Sequence, residues 1–176
     1  MLYIGEGFEG SGGNAAHINL LLGPKDGPLG SAFATAAASP GPGHIPFQVV
    51  LRPNLPVKPT TLFIGKAVLR NPQHELLTWG PAQAGVAAGI TRAVLDGVLP
   101  AGAEDDWLGI ALVWVDWNAD DADTVYANNM AASLAAVKRA LMPGWPTRAE
   151  LAQGLEAIAN PFYSPSKHEC APDTHE

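Results

Sequence analysis

The chain has 176 residues, a mass of 18.3 kDa, a formal net charge of −7 and one cysteine. This length predicts one domain that buries a real core, and the net charge disfavours binding to nucleic acid or to an anionic membrane surface, which needs clustered Lys and Arg. A single cysteine, Cys170, excludes an internal disulfide bond and fits a reducing compartment.

The N-terminal ten residues, MLYIGEGFEG, include no Lys or Arg and so do not resemble a secretory signal. The longest uninterrupted apolar run, Ile110 to Val115, is too short to cross a bilayer. We therefore expect a cytoplasmic protein with no membrane partner. Only 15% of the residues are charged, so much of the surface is weakly polar, which favours burial in an oligomer.

Two strands are predicted near the N-terminus, over residues 2–7 and over Ala15 to Leu22. In the second strand, His17 and Asn19 alternate with an apolar set that comprises Ala16, Ile18, Leu20 and Leu22. Side chains two apart on one strand face stand roughly 7 Å apart, so His17 and Asn19 can contact one small bound molecule. The turn between the strands, Gly10 to Gly13, leads into a strand rather than a helix, which excludes a phosphate-binding loop.

The next stretch predicts a helix, a strand and a stiff connection. Pro28 opens the helix, which ends at Ala38 before a run of proline and glycine. Ile45 to Leu51 predicts a mostly apolar strand in which Gln48 is the polar exception. Three prolines in Arg52 to Pro59 predict an extended, stiff segment that is suited to wall a pocket.

Thr61 to Leu69 predicts a strand whose one charged residue is Lys66. Burial of this ammonium without a partner would be costly, so Lys66 is expected to face a pocket, an interface or a carboxylate. The alternative is a stem that lies along the sheet with its head in water.

A helical segment is predicted to begin at Asn71-Pro72, to be interrupted at Trp79-Gly80-Pro81, and to resume from Pro81 to about Asp96. Gln83 then lies in the first turn of the second helix, where unpaired amides face whatever is bound. The alternative is that Gln83 is an ordinary helix residue, and likewise that Gln48 only satisfies a backbone group.

Trp107 to Val115 is apolar on both faces and predicts a central strand. A long helix follows, with an acidic start and an apolar stripe. The stripe comprises Tyr126, Met130, Leu134, Val137 and Leu141, and the acidic residues are Asp120, Asp121 and Asp123, a capping pattern that lacks the glycine and glutamate of a calcium loop.

The character of the chain changes after Pro143. Thr147 and Glu150 predict a capping box for a short helix that carries Leu151, Leu155 and Ile158, and the chain beyond Pro161 is polar and expected to fray. We therefore predict a two-layer α/β sandwich over residues 1–143 and a C-terminal extension over 144–176. The pattern leaves the order of the strands open.

The remaining histidines predict no metal site. His44, His74, His168 and His175 show no zinc-ligand spacing with one another or with Cys170. The histidines and the cysteine of the tail, His168, Cys170 and His175, are expected to be exposed.

Four segments, in this order, resemble the formaldehyde-activating enzymes of one-carbon metabolism. They are AHINLLLGPKDGPLGSAF, PNLPVKP with a lysine strand after it, WGPAQAGVA, and LVWVDWNADDA before the last long helix. The resemblance covers about Tyr3 to Leu141.

This resemblance implies a homopentamer with the fold of domain 2 of ribosomal protein S5. It also implies condensation of formaldehyde with tetrahydromethanopterin to methylene-tetrahydromethanopterin and water, with the pterin as co-substrate and with no metal and no tightly bound cofactor. His17 matches the catalytic histidine of the family, and Lys66 and Gln83 match two of its pterin-contacting positions.

Three other contact positions of the family differ in this chain. Asn19 replaces an aspartate, Gln48 replaces a leucine and Val68 replaces a threonine, which is the pattern of a divergent paralogue. An aspartate at position 19 would hold His17 protonated and stabilise a cationic iminium, so we expect a less basic His17 and slower condensation in this chain.

The condensation of an amine with formaldehyde requires a positioned acid. A carbinolamine hydroxyl leaves as water only when it receives a proton, and a histidine that titrates near neutrality is suited to provide one, so we expect His17 to be the general acid. The alternatives are a structural strand histidine, a non-catalytic paralogue that binds formaldehyde or a reduced pterin as sensor or carrier, and an enzyme adapted to another aldehyde or amine.

Overall fold

The computed structural model describes residues 1–160 and Tyr163. It divides the chain into two compact units, one from Met1 to Pro143 and one that begins at Gly144. Within the described part of the chain, no helix is both long enough and apolar enough to span a bilayer.

The first unit contains a five-stranded sheet. The strands of the chain are β1 (Tyr3–Glu9), β2 (Ala16–Pro24), β3 (Phe47–Gln48), β4 (Val50–Arg52), β5 (Leu55–Pro56), β6 (Thr60–Gly65) and β7 (Trp107–Trp114). The order in the sheet is β1-β2-β7-β6-β3, in which only β6 and β7 pair in parallel, while β4 and β5 form a separate hairpin. The prediction that residues 107–115 form a central strand is confirmed.

The helices of the first unit are α1 (Pro28–Ala38), α2 (Pro72–Leu77), α3 (Gln83–Leu95), α4 (Ala103–Asp106) and α5 (Ala122–Leu141). Helices α3 and α5 pack against each other, and α5 lies along β1 and β2. The two-layer α/β sandwich is therefore confirmed, while the likeness to domain 2 of ribosomal protein S5 stays a prediction.

The alternation of β2 separates two environments. Its apolar set is at most 1% exposed and belongs to the core that α3 and α5 cover; it comprises Ala16, Ile18, Leu20 and Leu22. His17, Asn19 and Leu21 lie on the other side of the strand and are half-buried. We call this second side of the sheet the His17 face.

Helix α5 packs against the sheet mainly through small residues, so its backbone lies closer to β1 than a stripe of long apolar side chains would permit. Tyr126 of that stripe is 38% exposed, and the buried positions are mostly small: Val125, Asn129, Ala132, Ser133, Ala136 and Val137. A Cβ added at Gly5 or Gly7 of β1 would lie 2.0 Å from a carbonyl oxygen of α5. The predicted stripe was right for Val137, which is buried, and for Leu134 and Leu141, which pack against the core, and it was wrong for the exposed Tyr126. Glycines on β1 let the helix backbone itself contact the strand.

Residues 45–59 also differ from the prediction. The expected strand over 45–51 is split into β3 and β4, and the expected extended connection over 52–59 contains the β4–β5 hairpin. Asn54 adopts a left-handed backbone with φ of 66°, a conformation that Asn tolerates and that lets the chain reverse despite the prolines.

Two boundaries near the predicted ligand contacts were wrong. Strand β6 ends at Gly65, so Lys66 follows the strand instead of lying inside it. The helical path is not interrupted at Trp79–Pro81, because residues 78–82 form a π-helical turn that continues into α3. A wider turn accommodates the missing N–H of a proline, and the Gln83 amide donates to the Gly80 carbonyl, so Gln83 is not at a free helix start.

The second unit contains α6 (Arg148–Glu156). Its predicted capping box is confirmed, since the Thr147 hydroxyl accepts from the Glu150 amide and the Glu150 carboxylate accepts from the Thr147 amide. The apolar residues of this segment are exposed, with Leu155 at 72%. The predictions for the polar tail, His168, Cys170 and His175 fall outside the described residues.

Candidate active site

The structure brings together three of the predicted site residues on the His17 face. His17 and Asn19 project from β2, and Lys66 follows the end of β6, two strands away in the sheet. The Lys66 side chain reaches across β7, and its Nζ donates to Asn19 Oδ1 at 2.6 Å. The ammonium therefore has a neutral partner at the position where the family resemblance implies a carboxylate.

A fourth residue of this group, Glu6, was missed by the sequence analysis. Glu6 pairs with Asn19 in the β1–β2 register, and its Oε1 lies 3.2 Å from His17 Nε2. The alternation of β1 already places Glu6 opposite to Gly5 and Gly7, but only the register of the strands shows which residue it faces.

Arg139 of α5 holds Glu6 from the edge of the sheet. Its Nη1 donates to the Glu6 carbonyl oxygen at 2.8 Å and lies 3.8 Å from Glu6 Oε2. The Glu6 and His17 side chains are 42% and 40% exposed, so the pair is accessible to a small molecule.

Aromatic rings flank the imidazole. The Phe8 ring lies edge-on at 6.1 Å from the His17 ring, and Trp114 is the β7 neighbour of His17 in the strand register. Trp114 also contacts Trp117, whose Nε1 donates to the Val68 carbonyl oxygen at 3.1 Å. The His17 face thus combines a polar group with an apolar surround, the composition typical of a small-molecule site.

Burial and the two neighbouring charges determine the direction of the pKa shift of His17. Burial, reinforced by the positive charge of Lys66, lowers the pKa of His17 below 6.5, while Glu6 acts to raise it. Burial also lowers the pKa of Lys66 to about 8, against the opposing effect of Glu6. Both shifts favour the neutral form of the side chain over its charged form.

Gln48 and Gln83 lie elsewhere, at a cavity of about 510 Å³. The cavity is lined by Ile45, Phe47, Gln48, Val50, Trp79 and Gln83. Strand β3, which carries Gln48, is three strand spacings from β2, or roughly 14 Å across the sheet. Within one chain, the structure does not bring these two residues into the His17 group.

The two glutamines differ in their surroundings. Gln83 is 9% exposed, and its Oε1 accepts from the Val50 amide at 2.7 Å, whereas Gln48 is exposed. The backbone-satisfying role that the sequence analysis considered for Gln48 therefore belongs to Gln83.

Among the described residues, no group of three or more His, Cys, Asp or Glu side chains is arranged to hold a metal ion. His44 Nδ1 lies 2.7 Å from the Gly65 carbonyl oxygen, and the buried His74 bonds the Val115 carbonyl oxygen through Nε2 at 3.0 Å. Asp121 caps α5 by accepting from two backbone amides, which confirms the capping interpretation of the acidic run.

Comparison with known proteins gives a consistent result. The model of the formaldehyde-activating enzyme family matches residues 4–163. The chain is 42% identical over 159 residues to a 5,6,7,8-tetrahydromethanopterin hydro-lyase of Methanosarcina barkeri, which covers 90% of this chain and 89% of that protein. The similarity therefore extends beyond Leu141, the predicted end of the resemblance.

Longer relatives align over only part of their length. The bifunctional enzyme Fae/Hps of Methanosarcina acetivorans is 40% identical over 146 residues, which are 83% of this chain and 37% of that protein. The bifunctional enzyme of the same name from Archaeoglobus fulgidus is 39% identical over 138 residues, which are 78% of this chain and 35% of that protein. With the family model matching nearly the whole chain, this protein belongs to the formaldehyde-activating enzyme family.

Proposed function

We propose that the chain condenses formaldehyde with tetrahydromethanopterin to give methylene-tetrahydromethanopterin and water, with His17 as the general acid. The observation that carries this proposal is the half-exposed imidazole beside Lys66 on the His17 face. Family membership and the name of the Methanosarcina barkeri relative support the same reaction. They do not favour a non-catalytic sensor or carrier.

The proton balance of the reaction fits one imidazole. A pterin amine adds to formaldehyde and gives a carbinolamine, whose C–O bond breaks when the hydroxyl takes a proton and leaves as water. The second pterin amine then closes the ring and releases its own proton, which restores the acid. A positioned group that gives and regains one proton accelerates such a reaction by roughly 10²- to 10⁴-fold.

The other residues of the proposal orient the pterin. The Lys66 ammonium provides a charged donor beside His17, and Asn19 provides a side-chain amide. Gln83 and Gln48 border an apolar cavity in which Phe47 and Trp79 offer aromatic faces to a pterin ring. In this proposal the pterin is a co-substrate and not a resident cofactor, and the reaction takes place in the cytoplasm.

Assembly into a homopentamer, which the family resemblance implies, is part of the same proposal. Large apolar side chains of the first unit are exposed, including Ile4 at 62%, Leu76 at 64% and Leu95 at 78%. Burial of such side chains between copies would stabilise an oligomer. Light scattering after size-exclusion chromatography measures its mass.

The test of the activity is a condensation assay. Purified protein is mixed with formaldehyde and tetrahydromethanopterin, and the rate is compared with the spontaneous reaction and with a His17→Ala variant. We expect acceleration by the native chain and a loss of roughly 10²-fold or more in the variant. Because His17 is half-exposed, the variant should unfold at nearly the native temperature.

Two results would contradict the proposal. Native protein that binds the pterin without accelerating condensation would indicate a binding protein. Full acceleration by the folded His17→Ala variant would remove His17 from the mechanism.

A further inference from the structure

We propose that Glu6 is the positioning residue of His17: its carboxylate binds Nε2 of the imidazole and leaves Nδ1 as the nitrogen that exchanges a proton with the substrate. This inference rests on the proposed function and assigns the donor atom within it.

The geometry fixes Glu6 from two directions. The β1–β2 register places Glu6 opposite Asn19 and Phe8 opposite His17, two register positions apart and therefore on the same face of the sheet. From there Oε1 reaches His17 Nε2 at 3.2 Å. Arg139 holds the backbone of Glu6 through a 2.8 Å hydrogen bond and lies 3.8 Å from Oε2, so the second oxygen is turned towards α5 while the first faces the imidazole.

The charges around His17 give this contact its importance. Lys66, which follows β6, and Arg139, from α5, are positive, and Asn19 on β2 itself is neutral and already accepts from Lys66. Among the described residues, Glu6 on β1 is the carboxylate that the structure pairs with His17. A protonated imidazole near the Lys66 ammonium therefore depends on Glu6 for compensation, and Arg139 contacts Glu6 and not the imidazole in the contacts described.

In the reaction, the two ring nitrogens of His17 then have different roles: Nε2 binds Glu6 and Nδ1 exchanges the proton with the substrate. When His17 is protonated, Nε2–H donates to Glu6 Oε1 and Nδ1–H remains for the substrate. In the elimination step the Nδ1–H bond breaks, an O–H bond forms on the carbinolamine, and the C–O electron pair leaves with water. Ring closure by the second amine returns a proton to Nδ1.

The test is the Glu6→Gln variant, which keeps the shape of the side chain and removes its charge. NMR titration of His17 should show a pKa about one unit lower than in the native protein, and kcat should fall about 10-fold near pH 8 with little change in KM. Towards pH 5 the loss in kcat should shrink to a few-fold, because more of the variant imidazole is protonated there.

Two further variants separate positioning from a general loss of structure or charge. Glu9→Gln makes the same charge change on the same strand, and Glu9 is not bonded to His17; its titration and pH profile should match the native protein. Glu6→Asp keeps the charge on a shorter side chain and should recover part of both the pKa and kcat, and it remains a test if Glu6→Gln does not fold.

An unchanged His17 pKa and an unchanged pH profile in Glu6→Gln would overturn the inference. Equal effects in Glu9→Gln would do the same, since they would show a diffuse effect of net charge. The NMR titration needs no pterin, so a native protein without condensing activity would reject the proposed function while still testing the Glu6–His17 pair.

Discussion

The two faces of strand β1 serve different purposes although their residues alternate along the same seven positions. On one face, Gly5 and Gly7 let the backbone of α5 contact the strand, so that any added side-chain atom would overlap a carbonyl oxygen. On the other, Glu6 and Phe8 border His17 in a half-exposed group of charges. The comparison teaches that stability depends on the absence of side chains on one face, and the proposed chemistry on their presence on the other.

The largest effect is expected from Gly7→Ala. A Cβ at Gly7 would lie 2.0 Å from the Ala132 carbonyl oxygen, and backbone cannot yield as a side-chain tip does. We expect a loss of about 3 kcal/mol or more in the free energy of unfolding, measured by urea denaturation.

Gly41→Ala is the matched control, because a Cβ at Gly41 meets nothing within 4 Å and its backbone φ is not in the left-handed region. Its unfolding free energy should stay within about 0.5 kcal/mol of the native value. A similar loss in both variants would show that the close approach of α5 to β1 is not what makes Gly7 necessary.

A smaller loss of unfolding free energy is expected at the two glutamines of the cavity, of which one is buried and the other exposed. Gln83→Leu removes the acceptor of the Val50 amide and should cost about 1–3 kcal/mol of unfolding free energy. Gln48→Leu, at an exposed position, should change it by less than about 0.5 kcal/mol. Equal stability of the two variants in the same denaturation experiment would refute the structural role of Gln83.

The smallest effect concerns pH. Lys66 has a folded-state pKa of about 8 against an ordinary value of 10.5, so the unfolded chain binds more protons between these values and native stability rises with pH across this window. The unfolding free energy of the native protein minus that of a Lys66→Met variant should therefore increase from pH 8 to pH 10.5. Denaturation of both proteins at several pH values measures this change.

Lys58 provides the control with the opposite sign. Its bond to Asp105 raises the pKa of this exposed lysine, so the stability that it contributes is present below pH 10.5 and is lost as the pH rises through the folded-state value. A Lys58→Met comparison that shows the same sign as Lys66→Met would contradict the assignment of the two shifts.

The sequence predicted the parts of the site that depend on local pattern. The alternation of β2 placed His17 and Asn19 on one face, and the acidic residues at the start of α5 marked its N-cap. Each of these signals is contained within a few consecutive residues, so it can be read without the fold. Glu6 could not be assigned, since its contact with His17 depends on the register between two strands.

The prediction failed where neighbours in space override local preference. Gln83 has the flanking residues of a helix start, yet the wider turn over 78–82 carries the helix through Pro81 and pairs its amide. The small residues of α5 give only a weak apolar stripe in the sequence. Their burial depends on Gly5 and Gly7 of β1 and on the glycines of α3, which lie against the backbone of α5. The cavity, likewise, depends on the hairpin that Asn54 permits.

The single parallel pairing in the sheet has a consequence for the order of folding. Thr60 pairs with Leu108, so β6 and β7 meet only after the intervening helices have brought distant parts of the chain together. The β1–β2 hairpin closes a short loop and needs no such crossover. We therefore expect the hairpin that carries His17 and Glu6 to form early, and the arrival of Lys66 beside it to be among the last events. The group that comprises Glu6, His17, Asn19 and Lys66 would then be complete only in the fully folded chain.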